Sequence, residues 1–210
     1  MTSPSPCPLF WREAEAAGFD TVCALDFEGS DRTGVVEFGY VVFGADGIRK
    51  VRSELCRPQK TISAREFETH GLSGDDFGTA EPFSRYWEEF RNLRATGPLL
   101  AHSASVEDRF LRRQWRTVGE VFDWSDVPSR VIDWGPWLDS CALARSVIDG
   151  GSAALRPIVE GWGLAGELED LATIHCPSNR RFWHAALYDS LASALIFRRL
   201  LEARPRWGVR

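Results

Sequence analysis

TVCALDFE, residues 21–28, decides the fold: an unbroken apolar run from Val22 to Leu25 leads straight into Asp26 and Glu28. Continuous apolar character marks a strand buried on both faces, as in a sheet covered by helices. The two-residue repeat of a strand puts both carboxylates on one face, about 7 Å apart along the chain. Two anions held there repel each other unless a cation sits between them. The other acidic-x-acidic pairs, Glu13/Glu15, Glu66/Glu68 and Glu167/Glu169, fall in stretches that read as solvated helix faces or turns.

Working outward, LFWREAEAAG (9–18) before this strand reads as a short helix. After it, the polar GSDRTG makes a turn, VVEFGYVVFG (35–44) a second strand, ADG a hairpin signal and IRKVRSELC (48–56) a third strand, an antiparallel meander. Helices then take over. Ser63 caps AREFETHG, Pro82 opens FSRYWEEFRNLRAT, and Gly97-Pro98 introduces the strand LLAHS. Ser105 reads as the cap of VEDRFLRRQWRTVG, in a Ser-x-x-Asp box with Asp108, and Ser140 as the cap of CALARSVID. Beyond Gly150-Gly151 come AALRPIVEGWG, an irregular Asn/Pro/Arg stretch and the long helical pattern HAALYDSLASALIFRRLLEARP. Hairpin strands followed by strands alternating with helices predict a mixed α/β sheet with helical cover. No linker interrupts it, so residues 9–205 read as one domain with tails at 1–8 and 206–210.

Composition narrows the function. Thirty acidic residues against 25 Lys and Arg leave a net charge of -5, which argues against gripping long nucleic acid by bulk positive charge. Cys7, Cys23, Cys56, Cys141 and Cys176 are odd in number and widely spaced, which suggests neither a disulfide framework nor a CxxC zinc site. MTSPSPCP lacks the basic and apolar parts of a signal peptide, and no stretch approaches eighteen apolar residues. The expectation is a cytoplasmic protein without membrane contact.

Two further segments carry acids in chemically suggestive places. In AHSASVEDRFL (101–111) a strand end delivers Glu107 and Asp108 to the first turn of a helix, where the dipole favours negative charge. The expected capping role of Asp108 leaves Glu107 as the freer carboxylate. In WHAALYD (183–189), His184 and Asp189 stand at the head of the last long helix.

Taken in chain order, DFE, HSASVEDRFL and HAALYDS resemble the three motifs of the DEDDh (DnaQ-like) exonucleases, a family of polymerase proofreading subunits and RNA-trimming enzymes. The resemblance runs from about Thr21 to Glu202 and includes ETHGLS and LDSCALAR. It implies a ribonuclease H-like sheet and metal-dependent release of nucleoside 5'-monophosphates from the 3' ends of single-stranded DNA or RNA. It implies two divalent cations, Mg²⁺ or Mn²⁺, held by Asp26, Glu28, Glu107 and Asp189, with His184 as general base. Oxygen ligands suit such hard cations, and an imidazole titrates in the neutral range. The chain departs from the family at the middle motif, where Glu107 stands for the usual Asp and Ser103 for the usual Asn; Asp108 is the backup for the middle acid.

Gly29, Ser30, His70, His102, Ser103, Arg181 and Trp183 are the expected substrate contacts, with Arg180 beside Arg181 as a further phosphate candidate. The other tryptophans in helices, Trp11, Trp87, Trp115 and Trp162, read as core. A homodimer and a larger repair, replication or defence assembly are both open as partners. The competing class is a catalytically weak or inactive nucleic-acid or protein binding module on the same fold, for which the Glu107 and Ser103 departures speak.

Overall fold

The chain's apolar runs assemble into one mixed sheet, seen in a computed structural model that describes residues 8–16, 18–126 and 128–203. Cys7, the first seven residues of the expected N-terminal tail and the whole expected C-terminal tail lie outside the described residues. Pro8, assigned to that tail, instead opens α1 (Pro8–Ala16). Strands β1 (Val22–Ser30), β2 (Gly34–Gly44) and β3 (Gly47–Leu55) form the predicted antiparallel meander. After α2 (Ala64–His70) and α3 (Trp87–Thr96), β4 (Leu99–Ala101) pairs parallel to β1. Helix α4 (Ser105–Gln114) follows, then a separate hairpin of β5 (Val121–Phe122) and β6 (Arg130–Val131), then β7 (Trp137–Asp139), parallel to β4. The sheet order is β3-β2-β1-β4-β7. Helices α5 (Ser140–Arg145), α6 (Leu155–Gly161), α7 (Ala165–His175) and α8 (Ala186–Ala203) complete the chain.

Strand alternation explains where the acids go. Cys23, Leu25 and Phe27 of β1 join Phe38, Tyr40, Phe90, Leu99, Phe110 and Leu111 in one buried cluster beneath α3 and α4. Val22 and Ala24 point the other way, into a cluster with Val41, Phe43, Leu100 and the apolar residues of α8. Asp26 and Glu28 continue that second row, so the sheet face that is apolar at the start of β1 becomes acidic at its carboxyl end.

Helix α8 is the central cover of this face. Leu191, Leu195, Ile196 and Phe197 are buried, each gaining about 1.5–3 kcal/mol over exposure before entropy is counted. Its first turn lies directly on β2 because position 39 is glycine: a Cβ there would stand 2.2 Å from the Leu187 nitrogen. The Ser190 hydroxyl donates to the Gly39 carbonyl at 2.8 Å and fixes the contact. Gly39 is the register partner of Asp26, and Glu37 that of Glu28. This seats the start of α8 over both acids.

The expected caps at α4 and α5 are corrected. Ser105 and Ser140 are the first helical residues; Asp139 caps α5 and also braces the turn that leads into α4, which has no side-chain cap of its own. The Asp139 carboxylate accepts from the Ser103 and Ala104 amides before α4, and from the Cys141 and Ala142 amides of α5. A local Ser-x-x-Asp pattern loses here to an acid delivered by a neighbouring strand. Helix α4 also ends at Gln114 instead of running to Gly119, because Trp115 turns extended and its carbonyl takes the Trp134 indole N–H. The hairpin that follows is held by Arg94, a buried guanidinium donating to the carbonyls of Phe122, Trp134 and Gly135. Cys23, Cys56, Cys141 and Cys176 are buried free thiols. No helix among the described residues is long and apolar enough to cross a membrane.

Candidate active site

The carboxyl end of β1, the first turn of α4 and the first turn of α8 meet at one place, the end of parallel strands where α/β sheets carry their sites. Glu28, His184 and Asp189 each offer one ligand-type atom, and these atoms lie within 4.8 Å of one another. His184 Nδ1 stands 3.9 Å from Glu28 Oε1, and its backbone N–H donates to Asp189 at 3.1 Å. His184 is two residues ahead of α8, not at its head as expected. Its φ of 67° is left-handed, a conformation in which His is several-fold enriched among non-glycine residues. The turn leaves its side chain 58% exposed, beside carboxylates that are nearly covered.

The acids form an electrostatically costly group. Burial first, then Asp189, Glu28, Glu107 and Glu37, hold the Asp26 carboxyl well above the usual carboxylate range. Burial followed by Asp189 and Glu37 pushes Glu28 up to about 9. Burial, with Asp139 adding to it, raises Glu107 to about 8. Burial also raises Asp189, to about 7, although the His184 amide works against it. Glu107 Oε2 and Asp189 Oδ1 are buried oxygens with no hydrogen-bond partner. Covered oxygens left unpartnered in a ring of like charges fit a hard divalent cation, which would supply the missing partner and offset the repulsion.

Of the two candidates for the middle acid, Glu107 is the buried one and raises Asp26 and Glu28, although it lies outside the Glu28, His184 and Asp189 trio. Asp108 accepts from the Trp137 indole and from Arg112. Sequence reasoning missed Glu37, whose buried carboxylate takes Arg180 through Nε and Nη2 and the Ala186 amide at 3.1 Å. An acid within VVEFGYVVFG, on the row that faces α8, was the available signal. It also missed Asp139.

The expected substrate contacts fare unevenly. Gly29 occupies a bulge with φ 140°, where a Cβ would lie 2.1 Å from the Gly34 carbonyl oxygen. Ser30 donates to Glu66, which ties the β1–β2 turn to α2. Burial opposes the effect, but hydrogen bonds from Ser30, Ser63 and Thr33 hold Glu66 well below its ordinary value. His70 is buried, with Nδ1 accepting from the Leu72 amide and Nε2 unpartnered. His102 is braced between Ser140 Oγ and the Ala153 carbonyl. Ser103 adopts φ 76°. Arg181 donates to the Thr173 and Cys176 carbonyls at the end of α7. Trp183 packs edge-on against Tyr188, ring centroids 5.1 Å apart. The reading of Arg180 as a phosphate contact is corrected: it is buried, with its fork closed on Glu37 and the His70 carbonyl.

The sheet order and the covering helices give a ribonuclease H-like fold, the fold of solved DEDDh exonucleases. The structure of Exonuclease X in complex with 5' overhanging duplex DNA matches with a TM-score of 0.62, at 18% identity, over 89% of this chain and 95% of that one. The nuclease domain of 3'hExo, a DEDDh family member bound to rAMP, matches at 0.59 and 16% identity, over 89% and 94%. In sequence, the chain is 27% identical over 193 residues to a DNA polymerase III PolC-type protein of Thermotoga petrophila, covering 90% of this chain. It is 28% identical over 192 residues to a DNA polymerase III subunit epsilon-like protein of Rhodobacter capsulatus, covering 91%. The chain spans only 12% and 24% of the length of these two relatives. It matches no protein-family model.

Proposed function

We propose that this chain is a metal-dependent 3'-to-5' exonuclease that releases nucleoside 5'-monophosphates from single-stranded DNA or RNA ends. The observation that carries the reading is the set of four raised carboxyls, Asp26, Glu28, Glu107 and Asp189, two of which hold buried oxygens without a partner. Such a set is unfavourable by itself and is offset by bound cations. In this reading the four acids hold two divalent cations, Mg²⁺ or Mn²⁺, as oxygen ligands. Bound there, the cations would stabilise the attacking and leaving oxygens of phosphodiester cleavage.

The remaining work falls to the chain. His184, exposed and next to Glu28, takes the proton from the attacking water as general base. Asp189 orients it by accepting from its backbone N–H. The closed Glu37–Arg180 pair holds the same segment from behind, since Arg180 also donates to the His184 carbonyl at 3.3 Å. The polymerase relatives support a place in a replication assembly, with this chain corresponding to a fraction of their length.

Asp26→Asn tests the assignment. With Mn²⁺ and a 5'-labelled oligonucleotide, the variant should lose stepwise shortening from the 3' end while keeping its fold by circular dichroism. Unchanged release of mononucleotides overturns it.

A further inference from the structure

The residue beside His184 that remains available to a base is Phe182. Trp183, the expected candidate, is half-buried against Tyr188. Phe182 is 40% exposed and lies two residues from a catalytic candidate.

Its surroundings are built to hold the ring still. The Arg180 guanidinium lies over the ring, 4.8 Å from the centroid. That guanidinium is itself immobilised by Glu37, the His70 carbonyl and the His184 carbonyl. Gly71 flanks the ring edge, where a Cβ would sit 3.6 Å from Phe182 Cζ, so the loop after α2 approaches it closely. The ring thus has a fixed cation behind it, one that also holds the His184 carbonyl, and exposed aromatic surface two residues along the chain from His184. That surface suits the flat face of a base, and a ring held in place loses little freedom when a base settles on it.

We infer that Phe182 is a stacking residue for one of the two nucleobases that flank the scissile phosphate. The inference rests on the exonuclease reading and adds a positioning residue to it. Stacking of this kind tolerates every base, which matches an enzyme that shortens strands of any sequence.

The test couples the ring to the base. Wild type and the variants F182A, F182L and F182W are assayed with Mn²⁺ on oligonucleotides that carry an abasic residue at the terminal position, at the penultimate position or at neither. F182A should raise KM about tenfold on the intact strand with kcat little changed, the scale of one lost stack. F182L should behave like F182A, and F182W should restore KM to within about twofold, as expected of an aromatic platform. At one of the two positions, removing the base should raise wild-type KM by a similar factor and leave F182A unaffected. An abasic penalty equal in wild type and F182A at both positions, or rescue by Leu as good as by Trp, overturns the inference. Absence of any nucleotide release by the wild type would instead overturn the exonuclease reading.

Discussion

Two groups of buried acid lie side by side at the carboxyl end of β1 and are treated in opposite ways. Glu37 is closed: both of its oxygens are bonded, to the fork of Arg180 and to the amide that opens α8. Its register partner Glu28 belongs with Asp26, Glu107 and Asp189 to a group that the chain leaves open, with raised pKa values and two orphaned oxygens. The same residue type, on the same sheet face, holds a segment together in one case and stands ready for a ligand in the other. Counting acids does not separate these roles; counting their donors does.

The comparison can be broken from the open side first. Asp26→Asn should lower exonuclease turnover about 10³-fold or more, equivalent to about 4 kcal/mol of lost transition-state stabilisation, with little change in melting temperature. Breaking the closed side should do the reverse in kind. Glu37→Gln leaves Arg180 buried without its counter-charge and should cost about 3–5 kcal/mol of stability, read as a fall of roughly 6–20 °C in melting temperature.

A third experiment titrates the open group. A carboxyl whose folded-state pKa lies above its unfolded value favours folding at low pH, and that advantage is lost as pH rises. For Glu28 the window runs from 4.5 to about 9, for Glu107 from 4.5 to about 8 and for Asp189 from 3.8 to about 7. Metal-free protein should therefore melt several degrees lower at pH 8.5 than at pH 5. Mn²⁺ at a hundredfold excess over its Kd should add about 2.7 kcal/mol at the higher pH and less at the lower, where protons compete for the same oxygens. Calorimetry at the two pH values, with and without the metal, checks both statements.

The smallest effect is expected at Ser103, whose φ of 76° suits Asn better than Ser. Ser103→Asn should stabilise the chain by about 0.5 kcal/mol, one or two degrees in melting temperature.

The meander, the two principal cover helices α3 and α8, and the first acidic pair were legible because each rests on a pattern a few residues long. The apolar run into Asp26 and Glu28 is one such pattern, and the turns at residues 29–34 and 45–47 are others. What stayed hidden depends on distance along the chain. Arg180 meets Glu37 across 143 positions, so its buried pairing looked in sequence like a basic residue free for phosphate. Asp139 reaches back to Ser103 and Ala104 and overrides a local capping signal that was sound in itself. Trp183 and Phe182 are adjacent aromatics, and only the packing of Tyr188 against one of them decides which stays exposed. The capping argument that set Glu107 ahead of Asp108 was wrong: Asp108 is occupied by Trp137 and Arg112.

Gly39 bears on all of this without carrying any chemistry. Lying on β2 beside the strand that holds two of the acids, it sets the gap between the sheet and a helix that holds a third, with the Leu187 nitrogen 2.2 Å from where a side chain would begin. One methyl group there acts as a shim: it lifts α8 off the sheet and draws Asp189 away from Asp26 and Glu28. Every acid would still be spelled out in the sequence, yet the spacing between them would be wrong, so position 39 is where this group can be taken apart mechanically.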